Sequence, residues 1–141
     1  MQIGEVKLTL LPTALTFPAN SEEASNESSL AVLAEHGKNR FLFAGDAIGR
    51  RLTELIGQIP EPETVDYVKM PHHGVYEGGV QAFVQALKPE YAVITCSGAA
   101  RPDGRVVSAL TEAGAQTFLT LSGTVIAESD GKEIAVRYFE H

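Results

Sequence analysis

The chain has 141 residues, a mass of 15.1 kDa and a formal net charge of −7. This size is that of one domain, and the acidic balance does not favour nucleic acid as a partner, since a broad grip on phosphates needs clustered Lys and Arg. No stretch approaches the ~20 apolar residues that span a membrane, and the amino terminus has no basic segment followed by an apolar run. Localisation is open from these features, and the cytoplasm is expected if the chain is complete as given.

The first third of the chain predicts strands separated by one long loop. The elements are, in chain order, a strand at 4–11, a long mobile loop at 12–28 and strands at 29–35 and 40–44. The two later strands flank a turn at 36–39, so they are expected to pair as a β-hairpin. His36 lies in that turn and is expected to be solvated.

From residue 48 onward, helices and strands alternate. The predicted elements are a helix at 48–59, a strand at 65–70, a helix at 80–87, a strand at 91–96, a helix at 106–113 and strands at 116–121, 123–128 and 133–139. Leu52 and Leu55 belong to the apolar face of the first helix, and Arg51 is expected on its exposed face. Turn residues at 122–123 and 130–131 predict hairpins between the last three strands.

This order of elements predicts an α/β fold in a single domain over residues 1–141, with a mixed sheet and about three helices on one face. If the helices all cover the same face, the other face of the sheet is apolar and bare. Soluble monomers rarely tolerate such a patch. The chain is therefore expected to pair with a partner, and a homodimer about a two-fold axis would bury the ~800 Å² per partner that is usual for a specific interface.

Two polar motifs follow apolar strands. The stretch at 70–74 reads Met-Pro-His-His-Gly, and side chains at the carboxyl ends of strands face the ligand crevice in α/β folds. Imidazole is a preferred ligand of zinc, although an isolated His pair is more often polar surface. Gly45 and Asp46 follow the strand at 40–44, where Asp46 alone would most often cap the next helix. Together the two motifs predict a mixed oxygen and nitrogen metal site.

These motifs resemble a known family. Asn-Glu-Ser-Ser-Leu at 26–30, Gly-Asp-Ala at 45–47 and Pro-His-His-Gly at 71–74 look like the carboxyl-terminal half of the metallo-β-lactamase fold. They are most similar to the ComEC-type hydrolase domains of bacterial DNA-uptake proteins. The likeness covers residues 4–139, and it implies one half of an αββα sandwich.

The resemblance also implies roles for individual residues. Asp46 would bridge two metal ions and His73 would complete the second, while His72 would hydrogen-bond or transfer protons beside them. The order of residues leaves open which of the two histidines is the ligand. Asn26 stands near the position of a ligand His in relatives, and Gly74 belongs to the loop of the two histidines. Both residues are therefore expected near the substrate. The implied cofactor is a divalent metal, with zinc first and manganese as the alternative.

The chain lacks the family's main metal motif, His-x-His-x-Asp-His. A catalytic zinc needs three protein ligands, whereas Asp46 and His73 give two, so the chain alone is not expected to assemble the complete site. One interpretation is that the chain is part of a metal-dependent hydrolase. A missing amino-terminal half would complete the site, and metal-bound hydroxide would attack a phosphoester or another ester. The alternative is a non-catalytic half-fold that homodimerises as a binding or structural module. A third is an unrelated α/β domain in which Asp46 caps a helix and the His pair is surface.

Overall fold

A computed structural model describes residues 1–16, 24–60, 62 and 64–140. As predicted, the fold is α/β, and the described residues form a seven-stranded mixed sheet, a two-stranded sheet and four helices. The strands are β1 (Gln2–Ile3), β2 (Val6–Leu11), β3 (Ala31–His36), β4 (Asn39–Phe43), β5 (Tyr67–Lys69), β6 (Tyr91–Ile94), β7 (Gln116–Leu119), β8 (Val125–Ser129) and β9 (Ile134–Tyr138). The helices are α1 (Ala24–Glu27), α2 (Arg50–Gln58), α3 (Val80–Leu87) and α4 (Gly104–Glu112). In the predicted loop at 12–28, Ala24–Glu27 are helical, and residues 17–23 lie outside the described part.

The large sheet follows chain order from β1 to β7. The strands of its first half are antiparallel. The predicted hairpin is confirmed, since β3 and β4 are paired and Leu33 lies opposite Leu42. Its second half is parallel from β4 to β7, with α2, α3 and α4 as the crossovers between neighbouring strands. Parallel strands need such crossovers because the end of one strand and the start of the next lie at opposite edges of the sheet. Among the described residues, no helix is long and apolar enough to cross a membrane.

The three longer helices pack on one face of the sheet, as predicted. The main core joins side chains of α2, α3 and α4 to the side chains on that face of the strands: Leu33, Leu42, Val68, Ala92 and Ile94 from the sheet, and Leu52, Leu55, Phe83, Leu87 and Leu110 from the helices. All of these side chains are almost completely removed from water. This layer holds the carboxyl ends of β4, β5 and β6 in fixed positions.

The opposite face of the sheet is only partly bare, which corrects the sequence-based expectation. The β8–β9 hairpin packs over Tyr67, Val93 and Phe118 and forms a second, smaller core there. The turn predicted at 130–131 does join an antiparallel pair, but the hairpin predicted at 122–123 is wrong, because β7 and β8 belong to different sheets. A 3-10 turn at Thr120–Ser122 instead directs the chain out of the large sheet.

Arg51 is fully buried, whereas the helical pattern placed it on the exposed face of α2. Its guanidinium donates to the carbonyls of Leu11 and Ser29, and it also contacts Glu54 Oε2 at 2.5 Å and Gln58 Oε1 at 3.0 Å. The chain that leaves β2 folds over this face of the helix. Helical periodicity reports a polar stripe but cannot show that another segment covers it.

His36 is also more buried than the sequence suggested. Its Nδ1 lies 3.0 Å from Ser129 Oγ, and Asn39 donates to the same hydroxyl at 2.8 Å. The turn after β8 lies against the β3–β4 turn, where Lys38 N donates to Gly131 O at 2.9 Å. The expectation that His36 is simply solvated is therefore wrong, since these bonds attach the β8–β9 hairpin to the large sheet. His141 lies outside the described residues.

Candidate metal centre

The two predicted motifs meet at the carboxyl edge of the sheet. Because β4 and β5 are parallel neighbours, the loop after each strand emerges at the same edge. The backbone N–H of His72 donates to Gly45 O at 3.3 Å, which joins the two loops directly. Ser29 Oγ accepts from the backbone N–H of Asp46 at 3.2 Å and ties the same loop to the start of β3.

Asp46 and His73 face each other across this junction. The distance from Asp46 Oδ1 to His73 Nε2 is 3.7 Å, and the two side chains are 44% and 54% exposed. That distance is too long for a direct hydrogen bond. Two ligands of one tetrahedral zinc ion, each about 2.1 Å from the metal, lie about 3.4 Å apart. The pair is therefore spaced as two ligands of one metal ion are, with solvent on the open side.

Hydrogen bonding fixes the tautomer of His73. Its Nδ1 lies 2.8 Å from the carbonyl oxygen of Thr95 and 3.1 Å from Thr95 Oγ1. A carbonyl can only accept, so Nδ1 carries a proton, and in the neutral form of the ring Nε2 holds the lone pair. That lone pair is on the side of Asp46. Metal-binding histidines generally donate their other ring N–H in this way, which sets the orientation of the ring.

The backbone that presents the histidines is strained. His72 has φ 44° and His73 has φ 55°, so both residues lie in the left-handed region, which costs roughly 1–2 kcal/mol per residue outside Gly. Pro71 starts this 3-10 turn, where its fixed φ fits. The contacts to Gly45 O and Thr95 hold the turn in place. Strained backbone of this kind concentrates at functional sites.

Gly74 closes the turn at a point where no side chain fits. Its φ is +73°, and a Cβ there would lie 2.8 Å from Ile94 Cγ2 and 2.9 Å from Pro102 Cβ. Its carbonyl accepts from the backbone N–H of Asp103 at 2.9 Å. Gly74 thus anchors the His loop against β6 and the start of α4, and its position is explained by packing.

Asn26 and His72 form a second contact beside the pair. Asn26 lies in α1, and its Nδ2 is 3.5 Å from His72 Nε2. The Nδ1 atom of His72 is buried and has no hydrogen-bond partner within the described part of the chain. A buried ring nitrogen without a partner is costly and is typical of strained or functional positions. The structure therefore places His72 next to Asn26, and His73 next to Asp46.

Lys69 and Thr95 are the site residues that the sequence reasoning missed. The Lys69 Nζ donates to Gly45 O at 3.2 Å and lies 3.9 Å from Asp46 Oδ1. Burial lowers the pKa of Lys69, and the charge of Asp46 partly opposes that shift. The alternating pattern of side chains in β5 could have indicated Lys69 as a site residue. The parallel pairing of β5 with β6 could have indicated Thr95.

Asp46 does not cap α2. The residue before the helix is Gly49, which has no side chain to cap it, and Glu27 Oε1 accepts from the backbone N–H of Arg50 at 3.4 Å. The hypothesis of Asp46 as an N-cap is therefore wrong. Over residues 1–16, 24–60, 62 and 64–140, no group of three or more His, Cys, Asp and Glu side chains is placed to hold a metal ion. Within these ranges, Asp46 and His73 do not form a complete metal site by themselves.

The chain matches no model of a known protein family, and it matches no curated protein.

Proposed function

We propose that this chain carries half of the metal site of a metal-dependent hydrolase of the metallo-β-lactamase superfamily, which acts on phosphoesters or other esters. The observation that carries the proposal is the spacing of 3.7 Å between Asp46 Oδ1 and His73 Nε2, at the carboxyl edge of a parallel sheet. The hydrogen bond from His73 Nδ1 to Thr95 O supports it, because this orientation leaves Nε2, the nitrogen that would bind a metal, on the side of Asp46.

The donor set suits a zinc ion, with manganese as the alternative. A carboxylate and an imidazole are shared ligands of these metals, and neither side chain belongs to the hydrophobic core. A divalent metal held here would supply Lewis acidity and lower the pKa of a bound water molecule. Within this chain, Asp46 and His73 would hold the ion, and Thr95 would keep His73 oriented.

Two neighbouring side chains have chemistry that fits the same reaction. Lys69 places a positive charge 3.9 Å from Asp46, where it would attract an anionic ester oxygen. The ring of His72 lies beside Asn26, with Nε2 3.5 Å from Asn26 Nδ2, and this nitrogen would hydrogen-bond to the substrate or transfer a proton. Asn26 and Gly74 would form the wall of the substrate site on this side.

We infer that the remaining ligands would come from outside the described residues. A catalytic zinc takes three protein ligands and keeps one position for water, and the described residues supply two. An amino-terminal half of the same fold or a second copy of this chain would provide them. A non-catalytic binding or structural module is the second candidate function, and the open part of the sheet face, described below, favours it.

Metal content tests the proposal. The purified chain is loaded with zinc or manganese, dialysed and analysed by mass spectrometry beside the Asp46→Ala, His73→Ala double variant. We expect bound metal that the double variant loses. His36→Ala is the matched control, because this histidine lies at the other end of β3 and should leave metal binding unchanged.

A second variant separates a metal site from nonspecific binding to His. Thr95→Val removes the hydroxyl near Nδ1 of His73 and should weaken metal affinity by about tenfold, the lower end of the effect of such supporting contacts. Cobalt loading gives a readout that needs no substrate, since its visible spectrum reports the ligands. Equal metal content in the wild type and the double variant would refute the proposed site.

A further inference from the structure

One part of the large sheet has an uncovered apolar face. The β8–β9 hairpin covers the β5–β7 side of the face opposite the helices and reaches Phe41 and the β3–β4 turn, whereas Ile3, Leu10 and Phe43 on the β1–β4 side remain exposed. The strand register places six apolar side chains together on this side, which we name the open sheet face: Ile3, Val6, Leu8, Leu10, Val32 and Phe43. Leu10 lies opposite Val32, which in turn lies opposite Phe43.

These side chains are exposed to a degree that is unusual for a sheet. Ile3 is 60% exposed, Leu10 55% and Phe43 42%, and the other three are half-buried. With roughly 150–200 Å² per fully exposed residue, the lower part of the range for aromatic residues, these fractions give an exposed apolar area on the order of 400 Å². A homodimer interface of ~800 Å² per partner that is about 65% apolar needs ~500 Å² of apolar surface. The open sheet face has about that area.

Charge favours a second copy as the occupant. Two chains with a net charge of −7 repel each other, and this repulsion is weakest where the contact surface lacks carboxylates. Within β1–β4 the charged side chains Lys7, Glu35 and Arg40 lie opposite one another on the other face, where Lys7 pairs with Glu35 at 2.7 Å. The open sheet face therefore presents no carboxylate from its strands, and it has no charge pattern that would select a charged partner.

The open sheet face also borders the candidate metal centre. The row that runs through Leu10, Val32 and Phe43 continues to Lys69 on β5. The amine of Lys69 contacts Gly45 O and lies near Asp46. A protein surface seated on this face would reach the edge of the site.

We propose that a second copy of this chain docks on the open sheet face, so that two sheets pack face to face about a two-fold axis. Such packing is self-complementary, because the same apolar rows come from both copies. Sheets that stack in this way keep their strands within about 30° of each other and interdigitate their side chains. The interface goes beyond the proposed hydrolase and does not depend on metal.

The test begins with the mass of the whole chain in solution. Sedimentation equilibrium at micromolar concentration should give twice the chain mass of 15.1 kDa. Leu10→Glu and Phe43→Glu should each return the mass to that of one chain. Leu121→Glu and Phe139→Glu are the matched controls, because these residues are also exposed, at 37% and 47%, and lie outside the open sheet face. Both controls should remain dimeric.

If a glutamate variant fails to fold by circular dichroism, Leu10→Ala and Phe43→Ala take its place, and each should raise the dissociation constant of the dimer at least tenfold. The Asp46→Ala, His73→Ala double variant should remain a dimer, which separates this inference from the proposed metal site. A monomeric wild-type chain would overturn the inference. A dimer whose mass or dissociation constant is unchanged by all the face variants would overturn it as well.

Discussion

The buried guanidinium of Arg51 gives the sharpest test of how this fold is held together. Arg51→Met keeps most of the side-chain volume but removes the charge and its donors. Glu54, whose side chain is 16% exposed, then loses its ion pair, and the carbonyls of Leu11 and Ser29 lose their donor. Breaking one side of a buried ion pair costs about 3–5 kcal/mol, because the remaining groups stay desolvated.

For a chain of this length, that loss corresponds to a melting temperature lower by about 10–17 °C. Thermal and urea unfolding followed by circular dichroism measure it. Arg50→Met is the matched control, since Arg50 is the preceding residue of the same helix and its side chain is 65% exposed. Its contact with Glu27, at 3.4 Å, should be worth less than about 1 kcal/mol. If Arg51→Met costs no more than Arg50→Met, the buried ion pair does not hold α2 to the chain after β2.

The remaining predictions concern the loops of the site. Gly74→Ala should lower the free energy of unfolding by about 2–4 kcal/mol, because the new methyl group clashes with two side chains at a positive φ, and Gly78→Ala, where a Cβ meets nothing within 4 Å, should cost far less in the same urea titration. Arg105 lowers the pKa of Asp103 from 3.8 to about 2 through a side-chain and a backbone hydrogen bond. This pair should therefore stabilise the fold above the unfolded pKa and lose its effect as the pH falls through the folded one. Melting curves should show Asp103→Asn less stable than the wild type at pH ~6, with the difference shrinking as the pH falls through ~2; a constant difference down to that pH would contradict the assignment.

Much of the fold could be predicted because its determinants are local. The α3 helix at Val80–Leu87 falls where the apolar spacing placed it, and Gly37 and Lys38 form the predicted hairpin turn. The parallel half of the sheet follows from alternating strands and helices. That parallel order also brings the loops after β4 and β5 to one edge, so the meeting of Asp46 with the His pair could be expected before any coordinates.

Other features could not be predicted, because they depend on segments distant in sequence. Arg51 is buried by contact with Leu11, which lies 40 positions earlier in the chain. His36 is buried by contact with Ser129, which lies 93 positions later. The β8–β9 hairpin leaves the large sheet and covers part of its second face, although its alternating pattern fits a strand of either sheet. Thr95 became a site residue only because β6 lies next to β5.

By itself, the sequence determined the α/β class, the order of most elements and the positions of Asp46, His72 and His73 at the ends of strands. Periodicity and turn chemistry are properties of short stretches, and they are sufficient for that. Only the tertiary structure decided that His73 faces Asp46 while His72 faces Asn26, since two left-handed residues in succession and a carbonyl of the neighbouring strand set the direction of each ring. The tertiary structure also decided which part of the sheet stays open, because coverage depends on where a distant hairpin packs.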